Sequence, residues 1–402
     1  MRDKSEPTIK WIIATLCALL SALADSQLSG EETSGISRTS PRLPPIPFDY
    51  AAPVFPEHVQ KHVAVIDAQN GEGRVTNHGA TLGRVLFYDK RLSINGTISC
   101  GSCHIQEYGF ADPRRVSRGF DDQCGTRNSM SLVNLRFNPS SRFFWDERAE
   151  SLEDQVVMPI VDPIEMGHSL SAITSDLAEA PIYQTLFVNA FGDSSVTKSR
   201  IASALSQFLR AMVSFDSRYD AGLQMTGDAR AKFPNFSEQE NLGKTQFFER
   251  GRCAECHLPN LSPIGISGDQ YAFFQLLSPT VNGVDQDGAV DDLGVGAITD
   301  QMKDLGRFKV SSLRNIELTS PYMHDGRFHT LDQVIEHYNW SVKPHANLDP
   351  RLRDFAANGM ALPEVEKVAL AAFLRTLTDN HFISDPKFSD PFIDHEKSER
   401  KE

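Results

Sequence analysis

Two short runs hold the chemistry of this sequence: Cys100-Gly-Ser-Cys103-His104 and Cys253-Ala-Glu-Cys256-His257. In each, two thiols stand three residues apart and a histidine follows at once. Thiols at that spacing can each add to one vinyl group of a haem, and the adjacent histidine then reaches the iron as its proximal ligand. A bare pair of this kind could also be a redox dithiol, and zinc would need a different spacing of partner ligands. With six cysteines and twelve histidines in 402 residues, one C-x-x-C-H would arise by chance roughly 0.003 times. Two of them predict two covalently attached c-type haems. The remaining cysteines are Cys17, which falls in a leader described below, and Cys124, which is then expected to be a buried or inert thiol.

An iron with one histidine has an open sixth position, and what fills it separates electron transfer from peroxide chemistry. Between the two motifs lie Phe144-Trp145-Asp146-Glu147-Arg148, then Gln155, Pro159 and Glu165-Met166-Gly167. A carboxylate held near haem iron could take a proton from bound peroxide and return it to the leaving oxygen, given a pKa tuned by a partly apolar pocket. Spacing alone reads Glu165, in a loop bounded by Pro163 and Gly167, as a surface carboxylate.

The elements that must position these groups read as helices. Lys198 to Ser217 has Ile201, Leu205, Phe208, Leu209 and Met212 at helical spacing. Ser237 and Glu240 form a capping box for a helix running into the second haem motif, and Thr330 caps Leu331 to Trp340. Leu362 to Leu377 is amphipathic. Residues 258–305, rich in Gly and Asp, read as a long loop region with a short hairpin at most. No run of alternating strands occurs and no internal repeat shows beyond the haem motifs, so the fold class is all-α.

Composition bounds the rest. Hydrophobic residues are 40% and charged residues 23%, which is ordinary for a globular chain of two domains. The 40 basic residues against 53 acidic, net −13, argue against nucleic acid as a partner. Residues 1–24 read as a signal peptide: Arg2, Lys4 and Lys10 precede an apolar run from Trp11 to Leu23 that is short for a bilayer span, and Ala22 and Ala24 suit cleavage. A membrane becomes a partner only if that leader is uncleaved. Residues 25–50, rich in Ser, Pro, Gly and Thr, read as a flexible linker. The haem motifs divide the remainder into an N-terminal haem domain, 51–225, and a C-terminal one, 226–402.

From Thr81 to Gly167 and from Phe308 to Tyr338 the chain resembles the bacterial di-haem cytochrome c peroxidase/MauG superfamily. The resemblance rests on Leu82-Gly-Arg-Val-Leu-Phe-Tyr-Asp-Lys-Arg-Leu-Ser93, the first haem motif and Gly109-Phe-Ala-Asp112. It continues through Arg127-Asn128, Phe144 to Arg148, Glu165-Met-Gly167, Phe308-Lys-Val-Ser-Ser-Leu-Arg-Asn315 and Pro321-Tyr-Met-His-Asp-Gly326. It implies two cytochrome c-like haem domains packed at an inter-haem interface, an exported (periplasmic) location and hydrogen peroxide as substrate. It implies that Glu165 is the distal acid–base group, with Gln155 and Pro159 in its pocket, and that Trp145 relays electrons between the haems; otherwise Trp145 reads as a core aromatic. It also implies a calcium ion held by the side chain of Asn128 and the carbonyls of Thr319 and Pro321, hard oxygen ligands of the kind calcium takes.

Two departures subdivide the family. Its ordinary members carry a distal histidine shortly before the Arg-Asn pair, and here none lies between His104 and His168, so the first haem is expected to be open. They also place a methionine fourteen residues after the histidine of Pro-Tyr-Met-His-Asp-Gly, and here that position is Tyr338. Alone, Tyr338 reads as a core residue sharing a helix face with Leu331, Val334 and Ile335, leaving Met323 or Met302 as rival ligands. At this family position it implies a second haem ligated by His257 and Tyr338, where an anionic oxygen favours the higher oxidation states. The expected activity is MauG-like: peroxide-driven oxidation of an external donor or protein substrate through a high-valent two-haem state. Two alternatives stand beside it. One is a conventional di-haem peroxidase fed by a small cytochrome c or cupredoxin; the other is a non-enzymatic electron-transfer cytochrome.

Overall fold

The computed structural model describes residues 40–67, 74–138, 140–258, 274, 278–286 and 292–392. The expected signal peptide and the linker as far as residue 39 lie outside the described residues.

Each half is organised on a pair of crossing helices. In the first half these are α1 (Asn77–Tyr88) and α3 (Lys198–Ala211), with α2 (Leu152–Val161) packed across α3. In the second half they are α4 (Glu238–Phe248) and α6 (Glu364–Arg375), with α5 (Leu331–Trp340) against α6. The crossings are close because each has a glycine at the contact: a Cβ on Gly83 would lie 1.9 Å from the Ala204 carbonyl oxygen, and one on Gly243 would lie 1.8 Å from that of Ala369. Further helices at 170–179, 181–191 and 218–226 fill the flanks. Among the described residues the only β pairing is isolated bridges, so the all-α expectation holds. No helix among them is long and apolar enough to cross a membrane.

Local signals set most helix starts. Ser237 with Glu240 and Thr330 with Gln333 form reciprocal capping boxes, and Thr76, Ser151 and Thr197 each accept a first-turn N–H. Ends depend on distant partners. α3 stops at Ala211 rather than continuing to Ser217, because the N–H groups of Ser214 and Asp216 go to Asn134 Oδ1 and Asp379 Oδ2 instead of up the helix. α4 ends at Phe248, and the second haem motif opens on a separate turn, Ala254–His257.

The halves repeat well beyond the haem motifs, a correction to the sequence reading. Asn134 and Asn315 both adopt the left-handed conformation, and their N–H groups donate to Met212 O and Leu377 O. Their Oδ1 atoms accept from Ser214 N and Asp379 N. A seven-residue turn follows in each half, closed by Phe143–Ala149 or Tyr322–Phe328, with positive φ at Phe144 and Glu147 in one and at Met323 and Gly326 in the other. Each turn leads into a capped ten-residue helix, α2 or α5.

The cores exchange ends. Phe382 and Phe388 are buried in the first core, whereas Val59 and Phe215 to Phe236 belong to the second. A single cut after residue 225 therefore does not separate them. The last residues of the expected linker are also packed. Arg42 N–H donates to Pro391 O at 2.7 Å, Leu43 and Phe48 lie on the first core, and the buried Tyr50 donates its hydroxyl to Lys387 O. Composition had suggested a tether there; the apolar residues between the prolines find a groove made by the far end of the chain.

Candidate functional site: two haem-motif centres and the turn between them

At the first motif, His104 Nδ1 lies 2.9 Å from Phe110 O, and at the second, His257 Nδ1 lies 3.2 Å from Phe274 O. The carbonyl fixes the Nδ1–H tautomer and directs Nε2, the usual iron-binding nitrogen, away from the backbone. Burial lowers both imidazoles, His257 to about 4, so both are neutral as a metal ligand requires. The four motif cysteines are free of disulfides. Burial pushes Cys100 and Cys253 up to about 12, and Cys103 and Cys256 up to about 11. A redox dithiol needs a lowered thiol pKa, so thioether attachment suits these sulfurs better. Cys124 is disulfide-bonded rather than an inert thiol.

The first centre faces carboxylate and amide groups. The Glu165 carboxylate is within charge reach of both Cys100 and Cys103. Its pKa is raised by burial and then by Asp162, and Arg148 acts in the opposite direction. This is the direction a proton-transferring carboxyl requires. Arg148 is held in turn: it donates to both oxygens of Asp146 at 3.0 and 3.2 Å and lies 3.6 Å above the Phe144 ring. Gln155 Oε1, on α2, is buried without a hydrogen-bond partner, a polar atom suited to a group bound beside it. Pro159 sits one helical turn further along α2.

At the second centre, Tyr338 lies on the inward face of α5 with Leu331, Val334 and Ile335. Burial and then the Cys256 and Cys253 sulfurs push its phenol upward, while a hydrogen bond with Asn282 acts against them. The phenol thus stands beside the second haem motif, as Glu165 stands beside the first. Of the rival ligands, Met302 is 83% exposed and is out of place. The Met323 sulfur accepts from Asn282 Nδ2 at 3.2 Å.

The repeat gives these positions a common frame. Ser151 caps α2 and Thr330 caps α5. Counting from the caps, Leu152 corresponds to Leu331, Val156 to Ile335, and Pro159 to Tyr338, each of the last pair being the eighth residue of its ten-residue helix. One half presents a phenol where the other presents a ring with no donor atom. In the preceding turns Trp145 corresponds to His324. Trp145 Nε1 donates to Asn128 O at 2.8 Å, and Asn128 N donates to His324 O at 2.8 Å. The two turns are therefore joined through one residue.

A family model described as di-haem cytochrome c peroxidase matches residues 77–229. A cytochrome c551 peroxidase from Nitrosomonas europaea is 33% identical over 78% of this chain and 83% of its own length. A methylamine utilization protein MauG from Methylophilus methylotrophus is 31% identical over 75% and 83%. A crystal structure of a MauG-like protein associated with microbial copper homeostasis is 33% identical, with a TM-score of 0.68, covering 80% of this chain and 95% of that one. The chain belongs to the di-haem cytochrome c peroxidase/MauG family. It is accordingly a di-haem peroxidase-type oxidoreductase.

In this di-haem peroxidase the expected calcium residues have separate contacts. Asn128 Nδ2 donates to the carbonyls of Arg114 and Arg115, Thr319 packs against Gly109, and Pro321 follows Ser320 across a cis bond. Among the described residues no three His, Cys, Asp or Glu side chains converge as a metal site. The calcium expectation therefore rests on one amide and two carbonyl oxygens. Sequence reading missed three groups. Asn282 lies in the stretch read only as loop. Arg148 was visible in a matched motif but had no assigned partner. Lys309 is buried, donates to Asn138 Oδ1, Ser140 Oγ and Arg142 O, and its backbone N–H holds Trp145 O at 2.8 Å.

Proposed function

We propose that this is an exported, MauG-like member of the family. It takes hydrogen peroxide at the first centre and oxidises an external donor or a protein substrate with the equivalents held at both. When bound, the haems supply the iron that receives peroxide and stores oxidising equivalents. In this reading Cys100, Cys103 and His104 hold one haem, and Cys253, Cys256, His257 and Tyr338 hold the other. Glu165 moves the proton between the peroxide oxygens, and Gln155 gives its unpartnered oxygen to the same pocket. Pro159 keeps the sixth position clear, and Trp145 bridges the centres. Calcium at Asn128, Thr319 and Pro321 would pin the Trp145 turn, and residues 1–24 would direct the chain to the periplasm.

The observation that supports the MauG-like branch best is the register of Pro159 against Tyr338: at the eighth helix position the second centre has an oxygen donor and the first has none. A conventional peroxidase fed by a small cytochrome c or cupredoxin remains the competing reading, favoured by the name of the Nitrosomonas relative. Peroxide titration of the diferric protein, followed by optical and Mössbauer spectra, tests the choice. Reaction without prior reduction, with both irons oxidised, is expected. A diferric protein inert to peroxide until one haem is reduced would return it to the conventional class.

A further inference from the structure

Among the described residues no side-chain hydrogen bond holds the Glu165 carboxylate, so its position depends on the backbone around it. Asp162 organises that loop from within: its Oδ1 accepts from Ile164 N and Glu165 N, and its carbonyl accepts from Gly167 N. The outer face of the loop is covered by a second turn, residues 118–124, closed by the Arg118–Cys124 bridge and by Gly119 N donating to Gln123 O at 2.8 Å. This is the stretch in which the chain lacks a histidine.

The turn meets the Glu165 loop at three consecutive points. A Cβ on Gly119 would lie 1.6 Å from Ile164 O, so only glycine permits this approach. Phe120 N donates to Glu165 O at 2.8 Å. The Phe120 ring covers Gly167, whose φ is +62° and where a Cβ would meet the ring at 2.4 Å. The neighbouring loop completes the enclosure: Asn95 Nδ2 donates to Phe120 O at 2.8 Å, and Ile94 N to Met166 O at 3.0 Å. The main-chain carbonyls of Ile164, Glu165 and Met166 are thus each met from outside the loop.

We infer that Gly119 and Phe120 are positioning residues for Glu165, clamping the 162–167 loop so that the carboxylate is held ready at the first centre without a partner of its own. The inference rests on the reading of Glu165 as the proton-transfer group. A carboxyl free to swing by an ångström or more loses much of its effect on rate, because proton transfer requires hydrogen-bond reach.

The test uses the holoenzyme with Gly119→Ala, Phe120→Ala and Phe120→Leu. Phe120→Ala removes the ring and keeps the backbone, and Phe120→Leu restores an apolar cover if the alanine variant is poorly behaved. Both alanine variants should speed hydrogen exchange at the amides of residues 164–168, leave α1 and α3 protected, and slow the peroxide reaction about tenfold to 10²-fold; Phe120→Leu should recover most of the loss. In a Glu165→Gln background, Phe120→Ala should cost nothing further, because the two act through one group. Unchanged exchange in the loop overturns the clamp. So does a Phe120→Ala loss that persists undiminished in the Glu165→Gln background. Faster exchange in a protein whose Glu165→Gln variant reacts at full rate overturns the reading of Glu165 and leaves the clamp standing.

Discussion

Trp145 and Asn128 are joined by a 2.8 Å hydrogen bond from the indole N–H to the backbone carbonyl, and the same Asn128 takes the carbonyl of His324 with its own N–H. The residue that fixes this indole therefore also ties the two repeated turns together. If Asn128 holds calcium through its side chain, the ion and the indole share one support. Chelation should lower the melting temperature of the holoenzyme by removing a stabilisation that grows with calcium concentration, about 2.7 kcal/mol for calcium at a hundred times its Kd. Restoration by calcium and not by magnesium is expected, and a melting curve indifferent to chelator and to added calcium would remove the ion from this site.

The equivalence of Pro159 and Tyr338 makes a sharp forecast. Pro159→Tyr should place a phenol over the first iron; the high-spin electron paramagnetic resonance signal expected of an open first haem should give way to a low-spin one, with loss of peroxide reactivity. Pro159→Ala, which offers no donor, should keep the high-spin signal. A high-spin first haem in Pro159→Tyr would mean that the two helices do not present their eighth residues alike.

Glu165→Gln should leave both haems attached and slow the reaction of the diferric protein with peroxide by about 10²–10⁴-fold, the usual range for a general acid–base group. The amide keeps the size and polarity and loses the transferable proton. Stopped-flow mixing with peroxide measures this directly, and a rate equal to the wild type would make Glu165 an ordinary loop carboxylate.

Tyr338→Met exchanges an oxygen donor for a thioether, which favours ferrous iron. The midpoint potential of the second haem should rise and its resting spectrum should change. Peroxide consumption at the first centre should survive while the shared oxidised state does not form. An unaltered second-haem spectrum would indicate that Tyr338 only packs in the core.

Acid stability should depend on a buried pair behind the second centre, where Arg314 lies 5.3 Å over the ring of Phe274, the residue whose carbonyl holds His257. Asp220 is buried against Arg314 and His58. Burial alone would raise its pKa, but Arg314, then His58 and Ser217, hold it well below the usual carboxylate range. A carboxyl depressed in the folded state contributes stability above its unfolded pKa of about 3.9 and loses it as pH falls further. Melting temperature should therefore fall on acidification below about pH 4. Asp220→Asn should cost about 3–5 kcal/mol near neutrality and flatten that acid dependence; an equally steep profile in the variant would assign it to other groups.

Read from the chain alone, this protein already declares what is local. The C-x-x-C-H runs state haem attachment because three side chains within five residues complete the chemistry. The capping boxes at Ser237 and Thr330 start their helices because donor and acceptor lie three residues apart. The face that presents Tyr338 follows from helical spacing with Leu331, Val334 and Ile335.

What the tertiary structure decided concerns partners distant in sequence. α3 ends at Ala211 because Asn134 and Asp379 take the N–H groups that would have continued it, and neither lies near it in the chain. The proline-rich residues 41–50 pack because residues 387–391 come back to meet them. The internal repeat is kept by backbone conformation at Asn134 and Asn315, the bridged turns and the helix caps, while side chains such as Pro159 and Tyr338 differ. The side chains the halves share, Asn134 with Asn315, Asp146 with Asp325 and Arg148 with Arg327, are too few and scattered to announce a repeat until the fold superimposes the two turns. The contacts of Gly119 and Phe120 with the Glu165 loop are hidden as well: they join backbone and one aromatic ring across loops more than forty residues apart, and no motif records them.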